Sequence, residues 1–107
     1  MTESEENSRT FEARFDFIPQ EALQYMGRRF AMGAKKHGVF NYKKQKLDWY
    51  QERKRHLKNH MDSYLSGDNT DDNLAAVLCN AAILAWFEEN KLDVVINSYE
   101  KTWEKLK

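Results

Sequence analysis

The chain has 107 residues, a formal net charge of zero, 41% hydrophobic and 32% charged residues. That balance excludes a wholly disordered chain, and the length excludes an enzyme with separate binding and catalytic lobes. The single cysteine, Cys79, excludes an internal disulfide framework and a cysteine-based zinc site.

Residues 1–12 are rich in Glu, Ser and Asn and carry no apolar run, so they read as a disordered acidic tail and not as a secretory leader. Residues 13–107 read as one helical domain. Pro19, the only proline, fits the first turn of a helix, where its missing N–H costs nothing. That helix is expected from Pro19 to about His37, with Leu23, Met26, Phe30 and Ala34 as its apolar stripe and Gly38 as its stop. A loop rich in lysine and aromatic residues follows, from Val39 to Lys46. A second helix is expected from about Leu47 to Leu65, burying Leu47, Tyr50, Leu57, Met61, Tyr64 and Leu65, and ending at Ser66-Gly67-Asp68-Asn69. Thr70 or Asp71 can cap a third helix running to about Glu89, with Asn90 as its end. This helix is apolar nearly all round and is expected to be central. A fourth helix from about Asp93 carries Val95 or Ile96, Tyr99, Trp103 and Leu106 on one side. Its β-branched start, Val94-Val95-Ile96, is also compatible with extended chain. No other segment reads as a strand, so the fold class is all-α, a small bundle of about four helices.

The uncharged run Leu74 to Phe87 is too short for the ~30 Å hydrocarbon core, so no membrane partner is expected and the setting is cytoplasmic. Charge is unevenly distributed. From Arg28 to Lys58 eleven Lys or Arg face only Asp48 and Glu52, whereas from Asn59 to Lys107 four Lys face nine acids. The middle is suited to phosphate, and the acidic half to a metal or a basic partner; solvated helix faces are the competing reading.

At about 100° per residue, the second helix places Trp49, Arg53, His56 and His60 in one row beside the core stripe. A flanking row of this kind lines a cleft or forms a semi-exposed polar border. Its chemistry suits a nucleotide: an aromatic face for a base, a guanidinium for a phosphate, imidazoles as donors or metal ligands. On the third helix Asn73 and Asn80 share a flank, and Asn80 sits inside the apolar run, where it either pairs helices or faces a ligand. There is no phosphate loop, dinucleotide fingerprint or His-Glu-x-x-His pair, and Cys79 reads as core. Asp68, Asp71 and Asp72 cluster before the third helix. They suit either a hard cation such as Mg²⁺ or the positive end of the helix dipole.

Several blocks, in order, resemble the N-terminal domain of phage-type dATP/dGTP diphosphohydrolases. They are Arg14-Phe15-Asp16-Phe17-Ile18-Pro19 with Glu21-Ala22-Leu23, then Gly33-Ala34-Lys35-Lys36-His37-Gly38 with Asn41-Tyr42. Arg55-His56-Leu57, Gly67-Asp68 and Cys79-Asn80-Ala81 follow. The resemblance spans roughly residues 14–88 and implies a small helical fold, more distantly MazG-like, with purine nucleotides as ligands. Two features depart from it. Asn73-Leu74-Ala75-Ala76 stands where the family shows a histidine-leucine-alanine-histidine run, and the paired acidic motifs by which MazG-type enzymes hold Mg²⁺ are missing. Hydrolysis needs an activated water, whereas recognition needs only the lining, so the departures bear harder on catalysis than on binding.

The expected function is therefore binding of a purine nucleotide or nucleotide-derived signal, with a degenerate catalytic motif. Lys35, Lys36, Lys43, Lys44 and Arg53 would take the phosphates, and Tyr42 or Trp49 the base. Asn41, Asn73, Asn80, His56 and His60 would complete the ligand site. If the protein is an enzyme, it is an Mg²⁺-dependent nucleoside triphosphate pyrophosphohydrolase with Asp68, Asp71 or Asp72 on the metal. Otherwise it is a sponge sequestering a cyclic or modified nucleotide of antiviral defence, in the host cytoplasm if phage-encoded. A helical adaptor for protein or nucleic acid is the third class, with nucleic acid the weaker partner. A homo-oligomer is expected, because the all-apolar third helix and Trp86, Phe87, Tyr99 and Trp103 present more aromatic surface than a small monomer hides.

Overall fold

The computed structural model describes residues 11–106, with side chains described through Tyr99. All but two residues of the expected acidic tail, and the side chains of Trp103 and Leu106, lie outside the described residues. Four helices make up the fold: α1 (Gln20–His37), α2 (Leu47–Leu65), α3 (Asn73–Asn90) and α4 (Leu92–Leu106). No described residue is in a strand, so the chain is all-α, as its patterning implies. No described helix is long and apolar enough to cross a membrane.

Local chemistry sets the boundaries, with three adjustments to the expectations. Pro19 stands just outside α1, in extended conformation, and its carbonyl accepts a bond from the Ala22 N–H. The segment Asn41–Lys44 is a short 3-10 turn within the expected loop. Neither Thr70 nor Asp71 caps α3. The flanking residue is Asp72, which makes no side-chain cap bond. Its carboxylate is drawn instead to Arg28 at 2.7 Å, that of Asp71 to Arg29 at 2.9 Å, and the Thr70 hydroxyl bonds Asp68. The Val94-Val95-Ile96 run is helical, because Val95 packs into the core and tertiary burial overrides the β propensity.

The central helix is α3, which carries seven of the ten buried residues among those described. Phe87, fully buried, is the hub. Tyr50 lies 5.0 Å away between ring centroids, Trp86 5.4 Å and Trp49 6.1 Å. Burying one such ring contributes roughly 1.5–3 kcal/mol. Trp86 is held between Tyr42 and Phe87, so the aromatic end of α3 is satisfied within the chain and does not leave a bare patch. Both α1 and α2 pack on α3 more than on one another, which leaves a furrow between them along α3. Each expected stripe is covered along part of its length: Met26, Phe30 and Ala34 on α1 and Leu47, Tyr50 and Leu57 on α2 are at least half-buried, whereas Leu23 at the start of α1, and Met61, Tyr64 and Leu65 at the end of α2, are exposed.

Two cation contacts tie the ends together. The Lys91 ammonium donates to the Gln45 carbonyl at 2.6 Å and lies over the rings of Trp86 and Phe87, joining the α3–α4 corner to the segment before α2. Lys54 donates to the Ser98 hydroxyl at 3.1 Å and sits 5.1 Å from the rings of both Tyr50 and Tyr99, clasping α4 to α2.

Candidate nucleotide-binding cleft

The furrow between α1 and α2 opens into a cleft of about 610 Å³. That is within the size range of small-molecule sites. Its floor is α3, through Cys79, Asn80 and Ile83. One wall is the last half of α1 and the turn after it; the other is the α2 row Trp49, Arg53, His56 and His60. The row expected from helical projection is thus a cleft wall and not a polar border.

Arg53 is the most constrained member. Its guanidinium lies 4.6 Å from the centroid of the Trp49 ring, one helical turn away. Its Nε is buried and has no hydrogen-bond partner within the chain, and burial pulls its pKa down. A buried charged donor without an acceptor costs about 1–3 kcal/mol or more. An anionic acceptor placed in the cleft would satisfy such a group.

The two α2 imidazoles differ. Burial, then the neighbouring Arg53 charge, push the pKa of His56 below that of an ordinary histidine, so the ring is neutral at pH 7. On its other side its Nε2 stands 3.5 Å from Glu52, whose carboxylate is mainly engaged by Arg55. His60 is fixed by a relay. The Asn73 amide donates through Nδ2 to the Asp68 carbonyl at 2.9 Å, which orients its Oδ1 toward His60 Nδ1, also at 2.9 Å. The His60 Nδ1 therefore carries the proton, and Nε2 remains for a ligand. Asn80, buried in the floor, turns its Nδ2 back onto the Ala76 carbonyl at 2.8 Å.

Of the residues expected to bind a ligand, Lys36, Asn41, Tyr42, Trp49, Arg53, His56, His60 and Asn80 line this cleft. Asn73 does not line it but bonds His60, which does. Lys35, Lys43 and Lys44 do not line it either. Lys35 is exposed, Lys43 lies over the Phe40 ring at 4.1 Å, and Lys44 borders a separate shallow depression. The two rings expected to stack a base are already engaged. Tyr42 makes edge-to-face contacts with Phe30, Phe40 and Trp86, and Trp49 packs on Phe87 beneath Arg53.

Sequence reasoning missed Arg29, His37 and Phe40. Arg29 and His37 flank Gly33 and Lys36 on one face of α1, a row that the same projection applied to α2 would have found. Phe40 reaches the rim because Gly38 turns the chain at φ 96° and Phe40 itself adopts the left-handed region at φ 59°. For a bulky residue this conformation costs on the order of 1–3 kcal/mol, and it holds the ring at the mouth of the cleft.

The acidic cluster behaves differently from the metal expectation. Asp71 and Asp72 are paired with Arg29 and Arg28, and Asp68 accepts from the Thr70 N–H and hydroxyl. The Arg29 guanidinium holds the Asp71 carboxyl below the usual carboxylate range, and the Thr70 bonds do the same for Asp68. The reason is tertiary: α1 brings two guanidiniums to carboxylates more than forty residues away in sequence. Among the described residues no group of three His, Cys, Asp or Glu is placed to hold a metal ion. The described lining of the cleft has three permanent cations, Arg29, Lys36 and Arg53, and three imidazoles, but no carboxylate. Of these cations Arg29 is already paired with Asp71, and Lys58–Asp62 and Arg55–Glu52 neutralise others of the basic stretch, so the positive charge of the cleft rests mainly on Lys36 and Arg53.

The family model described as dATP/dGTP diphosphohydrolase, N-terminal, matches residues 2–95. No curated protein and no solved structure matches the chain. With a match over most of its length, the chain belongs to the dATP/dGTP diphosphohydrolase N-terminal family.

Proposed function

We propose that the cleft binds a purine nucleotide or a cyclic nucleotide through its phosphates and holds it with little or no hydrolysis. The observation that carries this reading is the lining itself, cationic and aromatic, with no carboxylate among the described residues. An anionic ligand would satisfy the Arg53 Nε and meet Lys36 across the gap, with Arg29 beside it held by Asp71. A base would extend the Trp49–Arg53 stack on the outer face of the guanidinium or lie against Phe40 at the rim. His60 Nε2 and Asn80 would set its orientation. Family membership supports a purine nucleotide as the ligand class.

Turnover is disfavoured because activation of water needs a metal or a base at the phosphate. Asn73 stands in place of the family's first histidine and is used to orient His60. The nearby aspartates are committed to arginines. Binding without cleavage is what a sponge for a signalling nucleotide requires.

Thermal-shift and calorimetric titration with dATP, dGTP and cyclic purine nucleotides, with and without Mg²⁺ or Mn²⁺, tests the reading. Ligand recovered after denaturation is then analysed by chromatography. Saturable binding with intact ligand is the expected result. Monophosphate and pyrophosphate in excess of the protein would replace the binder with a pyrophosphohydrolase, and Asp68, Asp71 or Asp72 would then be the first residues to test as Mg²⁺ ligands.

A further inference from the structure

The cleft is polarised along its length. Arg28 and Arg29 of α1 meet Asp72 and Asp71 at the start of α3, and Tyr42, just past α1, meets Trp86 near its end, so α1 and α3 run the same way. α2 runs the opposite way, with Trp49 on Phe87 and His60 on Asn73. Gly33, one turn before Lys36 on one wall, and His56, about one turn beyond Arg53 on the other, therefore lie toward the same end, nearest the start of α3. Lys36 and Arg53 mark a phosphate end. At the Gly33 end the one permanent cation of the lining, Arg29, is held by Asp71.

Two features there serve nothing within the free chain. Gly33 lies well inside α1 with helical backbone, where glycine weakens a helix relative to alanine. A Cβ at this position would meet no atom within 4 Å, so neither packing nor turn geometry calls for glycine. What glycine leaves is a bare strip of backbone on the cleft wall, against which a flat ring can lie closely. The second feature is Asn80, only 7% exposed in the floor. Its Nδ2 donates to the Ala76 carbonyl, and because a carbonyl only accepts, the amide cannot be turned round. Its Oδ1 has no hydrogen-bond partner among the described residues and opens on the cleft. Such an acceptor calls for a donor from a ligand.

We infer that the Gly33 end of the cleft is a base subsite: an aminopurine lies with one face on the bare backbone at Gly33 and donates its exocyclic amine to Asn80 Oδ1, its phosphates directed to Lys36 and Arg53. The subsite rests on the nucleotide binding proposed above and decides what the base must carry. Adenine and guanine share an exocyclic amine, the donor that projects furthest from the ring. A base held only at the Phe40 rim would leave the floor oxygen without a donor.

Calorimetric titration of the full chain with dATP, dGTP and cyclic AMP, each beside the analogue that lacks only the exocyclic amine, tests the subsite. Of any pair that binds, wild type is expected to take the amino form about tenfold tighter, the worth of one hydrogen bond. Asn80→Ala should bring that ratio close to one, whereas loss of a merely structural asparagine would weaken both members alike. Gly33→Ala should raise Tm by a few degrees through its better helix propensity and yet weaken binding about tenfold or more. Gly27→Ala, on the same helix, equally free of Cβ contacts and outside the cleft, should raise Tm likewise and leave Kd unchanged. If Asn80→Ala does not fold, the wild-type ratio and Gly33→Ala carry the test. A wild-type ratio near one overturns the subsite and leaves nucleotide binding standing, as does wild-type affinity in Gly33→Ala. A folded Asn80→Ala that keeps the ratio does the same. Saturable binding of none of these nucleotides removes nucleotide binding and the subsite together.

Discussion

Replacing Arg53 by methionine separates a ligand-binding arginine from a structural one. In the free protein the arginine is a liability. Its Nε is buried without a partner, at about 1–3 kcal/mol, while the contact of its guanidinium with the Trp49 ring returns only about 0.5–1 kcal/mol. Methionine keeps the aliphatic cover over Trp49 and brings no orphan donor. The free protein should therefore be as stable as wild type or more stable by up to about 2 kcal/mol, with Tm unchanged or raised by several degrees. Ligand binding should move the other way. Loss of one charge-assisted hydrogen bond to phosphate costs about 1.5–3 kcal/mol, roughly 10- to 150-fold in Kd. Differential scanning fluorimetry without ligand and calorimetry with the tightest-binding nucleotide give both numbers on one preparation. The reasoning is refuted if Arg53→Met lowers Tm by several degrees while nucleotide affinity is unchanged, because the arginine would then be serving the fold.

Two further expectations concern the imidazoles. Asn73→Ala removes the acceptor that holds His60 Nδ1 and the donor to the Asp68 carbonyl. Nucleotide affinity should fall about tenfold and stability by about 1–2 kcal/mol in urea denaturation, although Asn73 itself does not line the cleft. For His56 the folded pKa lies below the unfolded value of about 6.5, so the unfolded chain binds protons first as pH falls. Its contribution to stability is complete above about pH 6.5 and is lost as pH drops through the folded pKa. Phosphate binding should tighten over the same range, with proton uptake in calorimetry performed in buffers of different ionisation enthalpy. Affinity that is flat from pH 7.5 to 5.5 would place His56 outside the ligand's reach.

The fold was legible in the sequence wherever a single helix carries its own signal. The 3.6-residue period marked α1, α2 and the apolar side of α4, though not its β-branched start, and the uncharged run from Leu74 to Phe87 marked α3 as central. The row Trp49–Arg53–His56–His60 was legible for the same reason, since four residues on one helix need only a rotation of 100° each. What escaped depends on relations between helices. Arg29 and His37 were hidden by the apolar stripe on α1, which describes what that helix buries and not what its flank lines. Asp71 and Asp72 read as a possible metal site because sequence shows only their neighbours, and the arginines that claim them lie on another helix. Lys35, Lys43 and Lys44 belong to a basic run, but charge composition does not say which side chains turn inward.

By the resemblance, Asn73-Leu74-Ala75-Ala76 stands where a histidine-leucine-alanine-histidine run is expected, and the proposed lack of turnover raises the question of whether catalysis is two substitutions away. The structure answers differently for the two positions. Asn73 is at the start of α3, near His60 and the Asp68 carbonyl, and a histidine there could keep one of its two hydrogen bonds. Ala76 is fully buried, one turn further into the helix, and its own carbonyl is taken by Asn80. Imidazole at that site must displace packed neighbours, at about 1–3 kcal/mol, and find partners for two nitrogens or lose a similar amount again. Asn73→His alone is therefore expected to fold and to remain without turnover. Ala76→His should lower stability by about 2–5 kcal/mol, read as a shift in the urea midpoint. The packing around Ala76 leaves no room for a second imidazole without displacing its neighbours. A double variant, Asn73→His with Ala76→His, that matched wild-type stability and released pyrophosphate from dATP in Mg²⁺ or Mn²⁺ would show that the catalytic space is still there.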